Sequence, residues 1–256
     1  MSLIVGFKIV VVPSLIAGVT LAGRRWGPAV AGWLSGFPIV AGPILFFIAW
    51  EQGSEFGSAA ALGTVLGIPS VLAFNLAYAW CATRASWPLS LLAALAAYAA
   101  VAAALLVWAP SPLASIGLAA ALLAVGPRLF PAFDGPARLP PGTNSRLEIF
   151  WRMLAAGLLV FAVTWFAADM GPRMSGLFAM FPVISIVLAS FSHHYSGAAF
   201  AIRLLRGVIL GWYALALFFV LLYLLLPPLP IGLAFLGAMF AATGVQLVSR
   251  RYIQAG

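Results

Sequence analysis

The sequence WGPAVAGWLSGFP at residues 26–38 is followed 144 residues later by the related sequence MGPRMSGLFAMFP at residues 170–182. The two segments align without gaps, and eleven of the 41 aligned positions between residues 27 and 67 are identical at this offset. The identities are chiefly Gly, Pro and Phe, which a shared hydrophobic composition alone would rarely place so consistently. The pattern therefore predicts an internal duplication.

The composition is that of a membrane protein. The 256 residues are 64% hydrophobic and 7% charged, with a mean hydropathy of +1.13. A membrane-spanning helix needs about 20 mostly apolar residues, and long apolar runs such as residues 89–108 meet this need. A β-barrel would instead show short segments of alternating polarity. We therefore expect an all-α polytopic membrane protein, with residues 1–256 forming a single transmembrane domain.

Glycine and proline punctuate the apolar runs and divide them into about nine transmembrane helices. Gly63-x-x-x-Gly67 and its copy Gly207-x-x-x-Gly211 predict that the third and eighth spans approach other helices closely. The nine predicted spans cover residues 2–22, 28–50, 56–82, 88–109, 113–130, 147–168, 172–193, 198–226 and 230–249.

Basic residues collect in alternate loops, which predicts the orientation of the chain. Only Lys8 and Arg173 depart from this distribution, which places the N-terminus outside and the C-terminus in the cytoplasm. The basic residues on the predicted cytoplasmic side are Arg24, Arg25, Arg84, Arg128, Arg138, Arg146, Arg152, Arg203, Arg206, Arg250 and Arg251.

The duplication and the span count together predict two inverted-topology four-helix repeats. Repeat one covers residues 1–110, a connecting helix lies within 111–145, and repeat two covers 146–256. One extra helix between two four-helix units reverses the second unit in the membrane. Inverted repeats recur in secondary transporters, so we expect a secondary transporter or exporter that moves a small solute or ion by alternating access.

The repeated Phe-Pro pairs are the leading candidates for a substrate-binding site. Pro38 and Pro182 each lie about ten residues into a span, where proline interrupts a helix and frees a carbonyl such as that of Leu34. Paired interrupted helices at matching positions mark transport sites, so Phe37, Pro38, Phe181 and Pro182 are predicted to bind substrate. Two purely structural kinks are the alternative.

Three polar residues within spans are further substrate-binding candidates: Lys8, Arg152 and Asn75. Ionisable residues inside a membrane are functional candidates by default. Lys8 and Arg152 occupy equivalent positions, where they either extend to the interface or contact an anionic substrate or a lipid phosphate. Asn75 either forms a hydrogen bond between helices or lines a cavity.

His193, His194 and Glu51 near span ends are candidates for coupling or gating, because histidine titrates near neutral pH. An ordinary interfacial position is the alternative for the histidines. The chain has no recognisable catalytic motif and a single cysteine, Cys81, with no metal-ligand pattern. We therefore expect a protein that is not an enzyme and that uses no metal or cofactor.

The second unit resembles the GlpM-like family of small four-helix bacterial inner-membrane proteins. The resemblance lies in Ser175–Pro182 and the following helix to His194, Gly197 and Arg206, and it recurs more weakly in Gly32–Pro38. It implies an integral protein of the bacterial inner (cytoplasmic) membrane, in which two family units are fused. It implies no substrate.

Two other function classes stay open on sequence grounds. One is a non-enzymatic scaffold or accessory protein of envelope or lipid-phosphate handling, and the other is a channel. The expected partners are the lipid bilayer and an unidentified small molecule or ion, and an oligomer is compatible with the sequence. Nucleic acid is not expected as a partner, because the basic residues occur singly or in pairs at span ends.

Overall fold

The structure, a computed structural model, consists of ten α-helices and has no β-strand among the residues that it describes, which are 3–38, 41–108, 110–133, 145–168 and 180–254. The all-α prediction is confirmed for this part of the chain. The helices are α1 (Leu3–Trp26), α2 (Pro28–Ser35), α3 (Ala41–Gln52), α4 (Ser54–Ala82), α5 (Trp87–Trp108), α6 (Pro112–Val125), α7 (Ser145–Ala168), α8 (Val183–Ser196), α9 (Ala198–Leu225) and α10 (Ile231–Gln254).

Five of these elements are long and apolar enough to cross a membrane: α4, α5, α6 with its following 3₁₀ turn, α9 and α10. Their outward surfaces carry large apolar side chains, with Val107 89% and Phe240 85% exposed. Such a surface is matched to lipid hydrocarbon. The chain is therefore consistent with a polytopic integral membrane protein.

The predicted second span is interrupted. Helix α2 ends at Ser35 and α3 begins at Ala41, so the predicted break at Pro38 is confirmed. The expectation of a free carbonyl at Leu34 is wrong, because the Phe37 amide donates to the Leu34 oxygen at 3.3 Å in the turn that closes α2. In the second unit α8 begins directly after Pro182.

Single glycines join consecutive helices at two equivalent positions. Gly53 has φ = 93° between α3 and α4, and Gly197 has φ = 87° between α8 and α9. Glycine adopts this backbone conformation without the steric penalty that other residues meet. These glycines lie 144 residues apart, as do the first residues of α4 and α9 and the first residues of α5 and α10.

Helices α4 and α9 pack antiparallel in the centre of the molecule. The Ser58 hydroxyl, near the start of α4, donates to the Tyr223 carbonyl near the end of α9 at 2.8 Å. A Cβ atom placed on Gly126 would contact both Leu72 and Ile209, which brings the later part of α4 to the earlier part of α9. Both helices are buried along much of their length.

Helices α1 and α7 form a second antiparallel pair. Arg24, in the last turn of α1, forms an ion pair with Glu148 in the first turn of α7. Near the middle of both helices, a Cβ on Gly157 would lie 3.8 Å from Cγ of Pro13.

Helix α2 packs parallel to α9 at very short range. A Cβ on Gly207 would lie 2.3 Å from the carbonyl oxygen of Ala29, and one on Gly211 would lie 2.4 Å from that of Trp33. Only glycine at these positions lets the two backbones come so close. The predicted close approach at Gly207-x-x-x-Gly211 is confirmed.

Candidate functional site

A cavity of about 200 Å³ lies between the break in the second span and the residues that precede α8. It is lined by seven helices, α1, α2, α3, α4, α7, α8 and α9, together with the non-helical residues Phe37 and Met180–Pro182. The residues that line it are Val12, Leu15, Ser35, Phe37, Ala41, Ile44, Val71, Val160, Val163, Met180, Phe181, Pro182, Val183, Ile184, Ser185, Val208, Trp212 and Leu215.

The lining is almost entirely apolar. Apart from the indole of Trp212, its polar side chains are the hydroxyls of Ser35 and Ser185, and Ser35 donates to the Gly32 carbonyl at 2.6 Å. None of the described lining residues is ionisable. An isolated ion would be poorly solvated here, whereas a cavity of about 150 Å³ with a similar lining can hold a benzene-sized molecule.

Three of the sequence-predicted residues line this cavity: Phe37, Phe181 and Pro182. Phe181 also packs edge-to-face on Tyr98 of α5, with ring centroids 5.6 Å apart. Pro38 is not among the lining residues. Its neighbour Phe37, in the turn that follows α2, is the lining residue at this break.

Asn75 is fully buried in α4, one helical turn beyond the cavity residue Val71. Neither its amide oxygen nor its amide nitrogen has a hydrogen-bond partner among the described residues. The predicted interhelical hydrogen bond of Asn75 is therefore absent. Buried amides nearly always have a partner, so this side chain is a polar feature that the described packing does not explain.

The two histidines have different surroundings. The Nδ1 atom of His193 lies 3.4 Å from the Tyr78 hydroxyl of α4. His194 packs edge-to-face against Trp87, with centroids 6.2 Å apart. Both therefore contact aromatic side chains of other helices, and neither lines the central cavity.

Arg152 is buried, with 3% of its surface exposed, so its guanidinium contacts protein groups and does not extend to the protein surface. Its guanidinium donates to Glu148 at 2.6 and 2.9 Å and lies 5.5 Å from the centre of the Phe191 ring. Glu148 also pairs with Arg24 at 2.5 Å. Sequence reasoning missed Glu148 and Arg24, although the four-residue spacing of Glu148 and Arg152 is a recognisable helical ion-pair signal.

The other candidates lie away from the cavity or outside the described side chains. Glu51 is exposed at the end of α3, and the side chain of Lys8 lies outside the described part of the structure. Within the described residues no group of three His, Cys, Asp or Glu side chains is arranged to hold a metal ion.

Comparisons with protein-family models, with curated proteins and with solved structures give no significant match to this chain. The resemblance to the GlpM-like family therefore stays a prediction.

Proposed function

We propose that this chain is a small secondary transporter or exporter, with nine spans arranged as two inverted repeats, that moves a small solute by alternating access. The observation that carries the proposal is the cavity between the break in the second span and the non-helical residues that precede α8. Inverted-repeat transporters bind substrate near the bilayer midplane, where interrupted helices meet. The apolar lining favours a solute with an apolar body over an inorganic ion.

The repeat is supported by contacts that recur when the two halves are exchanged. A Cβ on Gly36 would lie 2.5 Å from the carbonyl carbon of Gly211. At the 144-residue offset, Gly36 corresponds to Met180 and Gly211 corresponds to Gly67. These two residues are also in close contact, because a Cβ on Gly67 would lie 2.6 Å from Cβ of Met180. A pseudo-two-fold relation between the halves would produce such exchanged contacts.

The inversion is supported by helix directions. Helices α4 and α9 are equivalent by number and pack antiparallel, as do the equivalent helices α1 and α7. Equivalent helices of repeats with the same orientation would run in the same direction. A pseudo-two-fold axis in the membrane plane reverses the direction of equivalent helices. The same symmetry permits each half to adopt the conformation of the other during transport.

Cysteine accessibility tests this function. Ser35→Cys and Ser185→Cys, each in a Cys81→Ser background, place a thiol of nearly unchanged size in the cavity lining. We expect a membrane-impermeant methanethiosulfonate reagent to label both positions from either side of the membrane. Labelling from one side should fall when the protein is cross-linked closed on that side. The matched control is Ala238→Cys, which is fully buried in α10 away from the cavity.

The outcomes separate the three function classes. Labelling that alternates between the two sides supports the transporter. Simultaneous labelling from both sides, together with ion conductance in planar bilayers, would favour the channel. No labelling at Ser35→Cys or Ser185→Cys from either side would overturn the transport proposal and favour the scaffold.

A further inference from the structure

A cluster of ionisable residues joins α1, α7 and α8 at the end of the bundle that is predicted to face the cytoplasm. Glu148 accepts hydrogen bonds from Arg24 at 2.5 Å and from Arg152 at 2.6 Å, and Arg152 also lies 3.4 Å from the Ser192 hydroxyl. Glu148 is 8% exposed. Two guanidiniums share this one carboxylate, so the cluster carries a surplus of one positive charge.

The cluster also contains hydrogen-bonding groups without partners. Nε of Arg24 and the hydroxyl of Ser196 are buried and have no hydrogen-bond partner among the residues that the structure describes. Ser196 is 1% exposed, and it lines a narrow crevice together with Arg24, Arg152 and Glu148. The Arg24 side chain, which adds the surplus charge, keeps only 20% of its surface exposed. A partly buried charge beside unpaired donors is unfavourable unless another group compensates it. A single anionic group would complement both features.

The crevice and the central cavity lie along the same four helices, α1, α7, α8 and α9, and share no lining residue. The fully buried Ile16 and the crevice residue Leu188 fill the space between them. On α7 the cavity residue Val160 lies eight positions from Arg152, which corresponds to about 12 Å along a helix. A molecule of that length would span both sites, and its apolar tail would have to displace the buried side chains of Ile16 and Leu188.

The sequence of the other half repeats this cluster only in part, because Arg152 alone has an ionisable counterpart there, Lys8. The positions equivalent to Arg24, Glu148 and Ser192 at an offset of 144 are Ala168, Ile4 and Ile48, none of which is ionisable. The exposed Arg203 and other arginines at the predicted cytoplasmic end add positive potential around the crevice, which raises the local concentration of anions.

We infer that this cluster binds the head group of an amphiphilic monoanion whose apolar tail extends toward the central cavity. The inference rests on the proposed transport function and names its substrate class. The crevice has a volume of about 10 Å³, close to that of a single water site. The ligand's anionic group must therefore replace Glu148 on at least one arginine. A free medium-chain carboxylate and a lipid phosphate share this chemistry.

Isothermal titration calorimetry of ligand binding to the full-length protein in nanodiscs of zwitterionic lipid tests the inference. Empty nanodiscs of the same lipid are the control. The probes are octanoate, which has head and tail, octanamide, which has the tail without the charge, and inorganic phosphate, which has charge without a tail. We expect octanoate to bind at least about tenfold more tightly than octanamide or inorganic phosphate. One hydrogen bond to a charged group changes the affinity by about this factor or more. Nanodiscs that contain phosphatidylglycerol distinguish a lipid ligand from a free carboxylate. Weaker octanoate binding in these nanodiscs assigns the site to a lipid head group. Unchanged octanoate binding assigns it to a free carboxylate.

Variants separate binding from a purely structural role. Arg152→Gln should weaken octanoate binding about tenfold or more. Glu148→Gln should strengthen it, because it removes the competing carboxylate and keeps both guanidiniums. If the cluster were only a structural ion pair, Glu148→Gln would not strengthen octanoate binding. Arg206→Gln is the matched control, since it removes one exposed positive charge at the same end of the bundle.

Equal binding of octanoate and octanamide would overturn the inference, as would unchanged octanoate affinity in both Arg152→Gln and Glu148→Gln. Binding does not require movement across the membrane. A protein that passes the cysteine accessibility test but binds octanamide as tightly as octanoate therefore keeps its transport function and loses only the anion site.

Discussion

Single buried polar residues distinguish the two halves of this molecule. Asn75 is fully buried without a hydrogen-bond partner, whereas the equivalent position in the second half is the apolar Phe219. In the ion cluster, Arg152 aligns with Lys8, but Glu148 aligns with Ile4. The proposed repeats therefore share a pattern of glycine, proline and phenylalanine and differ in their buried polar side chains.

Asn75 provides a test at the level of one residue. We expect Asn75→Leu to raise the free energy of unfolding by about 1–3 kcal/mol, because a similar-sized apolar side chain removes a buried amide without partners. Thermal unfolding in detergent, followed by the loss of monodisperse protein, measures the change. Phe219→Leu at the equivalent position should lower the free energy of unfolding, because the smaller side chain leaves a cavity. Destabilisation by Asn75→Leu would mean that the amide has a stabilising partner.

At the level of helices, the short α2 is held by two kinds of contact. Its small residues lie directly against the backbone of α9. On another side, the Trp33 indole donates to the Ser249 hydroxyl of α10 at 2.8 Å, and the Gln246 amide donates to the Trp33 carbonyl at 2.9 Å. These contacts fix one end of the interrupted span, and so they position Phe37 at the cavity.

The α2–α9 contact predicts a large effect from one methyl group. We expect Gly211→Ala to lower the free energy of unfolding by about 1–3 kcal/mol, because the new Cβ would lie 2.4 Å from the Trp33 carbonyl oxygen and force the helices apart. The same thermal unfolding assay measures the loss. Gly117→Ala in α6 is the matched control, since none of the described atoms lies within 4 Å of its added Cβ. Equal stability of the two variants would contradict the close packing.

The α2–α10 contact predicts that Ser249→Ala destabilises the protein by about 1–3 kcal/mol, because it leaves the buried indole N–H of Trp33 without an acceptor. Thr243→Ala serves as the control on the same helix, because the exposed Thr243 hydroxyl bonds only to its own helix at Met239. We expect Thr243→Ala to change stability by less than about 0.5 kcal/mol. If Ser249→Ala is equally neutral, the hydrogen bond does not hold α2 in place.

At the level of the whole molecule, the proposed inversion predicts opposite locations for equivalent loops. Arg84 and Pro228 lie 144 residues apart, and both are exposed. In a Cys81→Ser background, we expect Arg84→Cys to react with an impermeant reagent only from the cytoplasmic side. Pro228→Cys should react only from the outside. Labelling of both from the same side would contradict the inverted arrangement and the alternating-access function built on it.

Several features follow from the sequence because they depend on the bilayer or on local backbone chemistry. The apolar runs require helices, since unpaired backbone groups are excluded from hydrocarbon. The proline at residue 38 interrupts its span through local geometry, and the gapless repeat of Gly, Pro and Phe made the two Phe-Pro breaks candidates for one site. Phe37 and Phe181 were identified in this way, and both line the cavity.

Contacts between distant parts of the chain were decided only by the tertiary structure. Arg24 and Glu148 are 124 residues apart, and no local pattern indicates that they pair. The hydrogen-bonding state of Asn75 and the apolar character of the cavity likewise depend on which faces of seven helices meet. Sequence alone determined that the chain forms apolar helices and that one of them is interrupted at Pro38, because these features arise from each segment's own chemistry. Packing between segments determined where polar groups lie relative to the cavity.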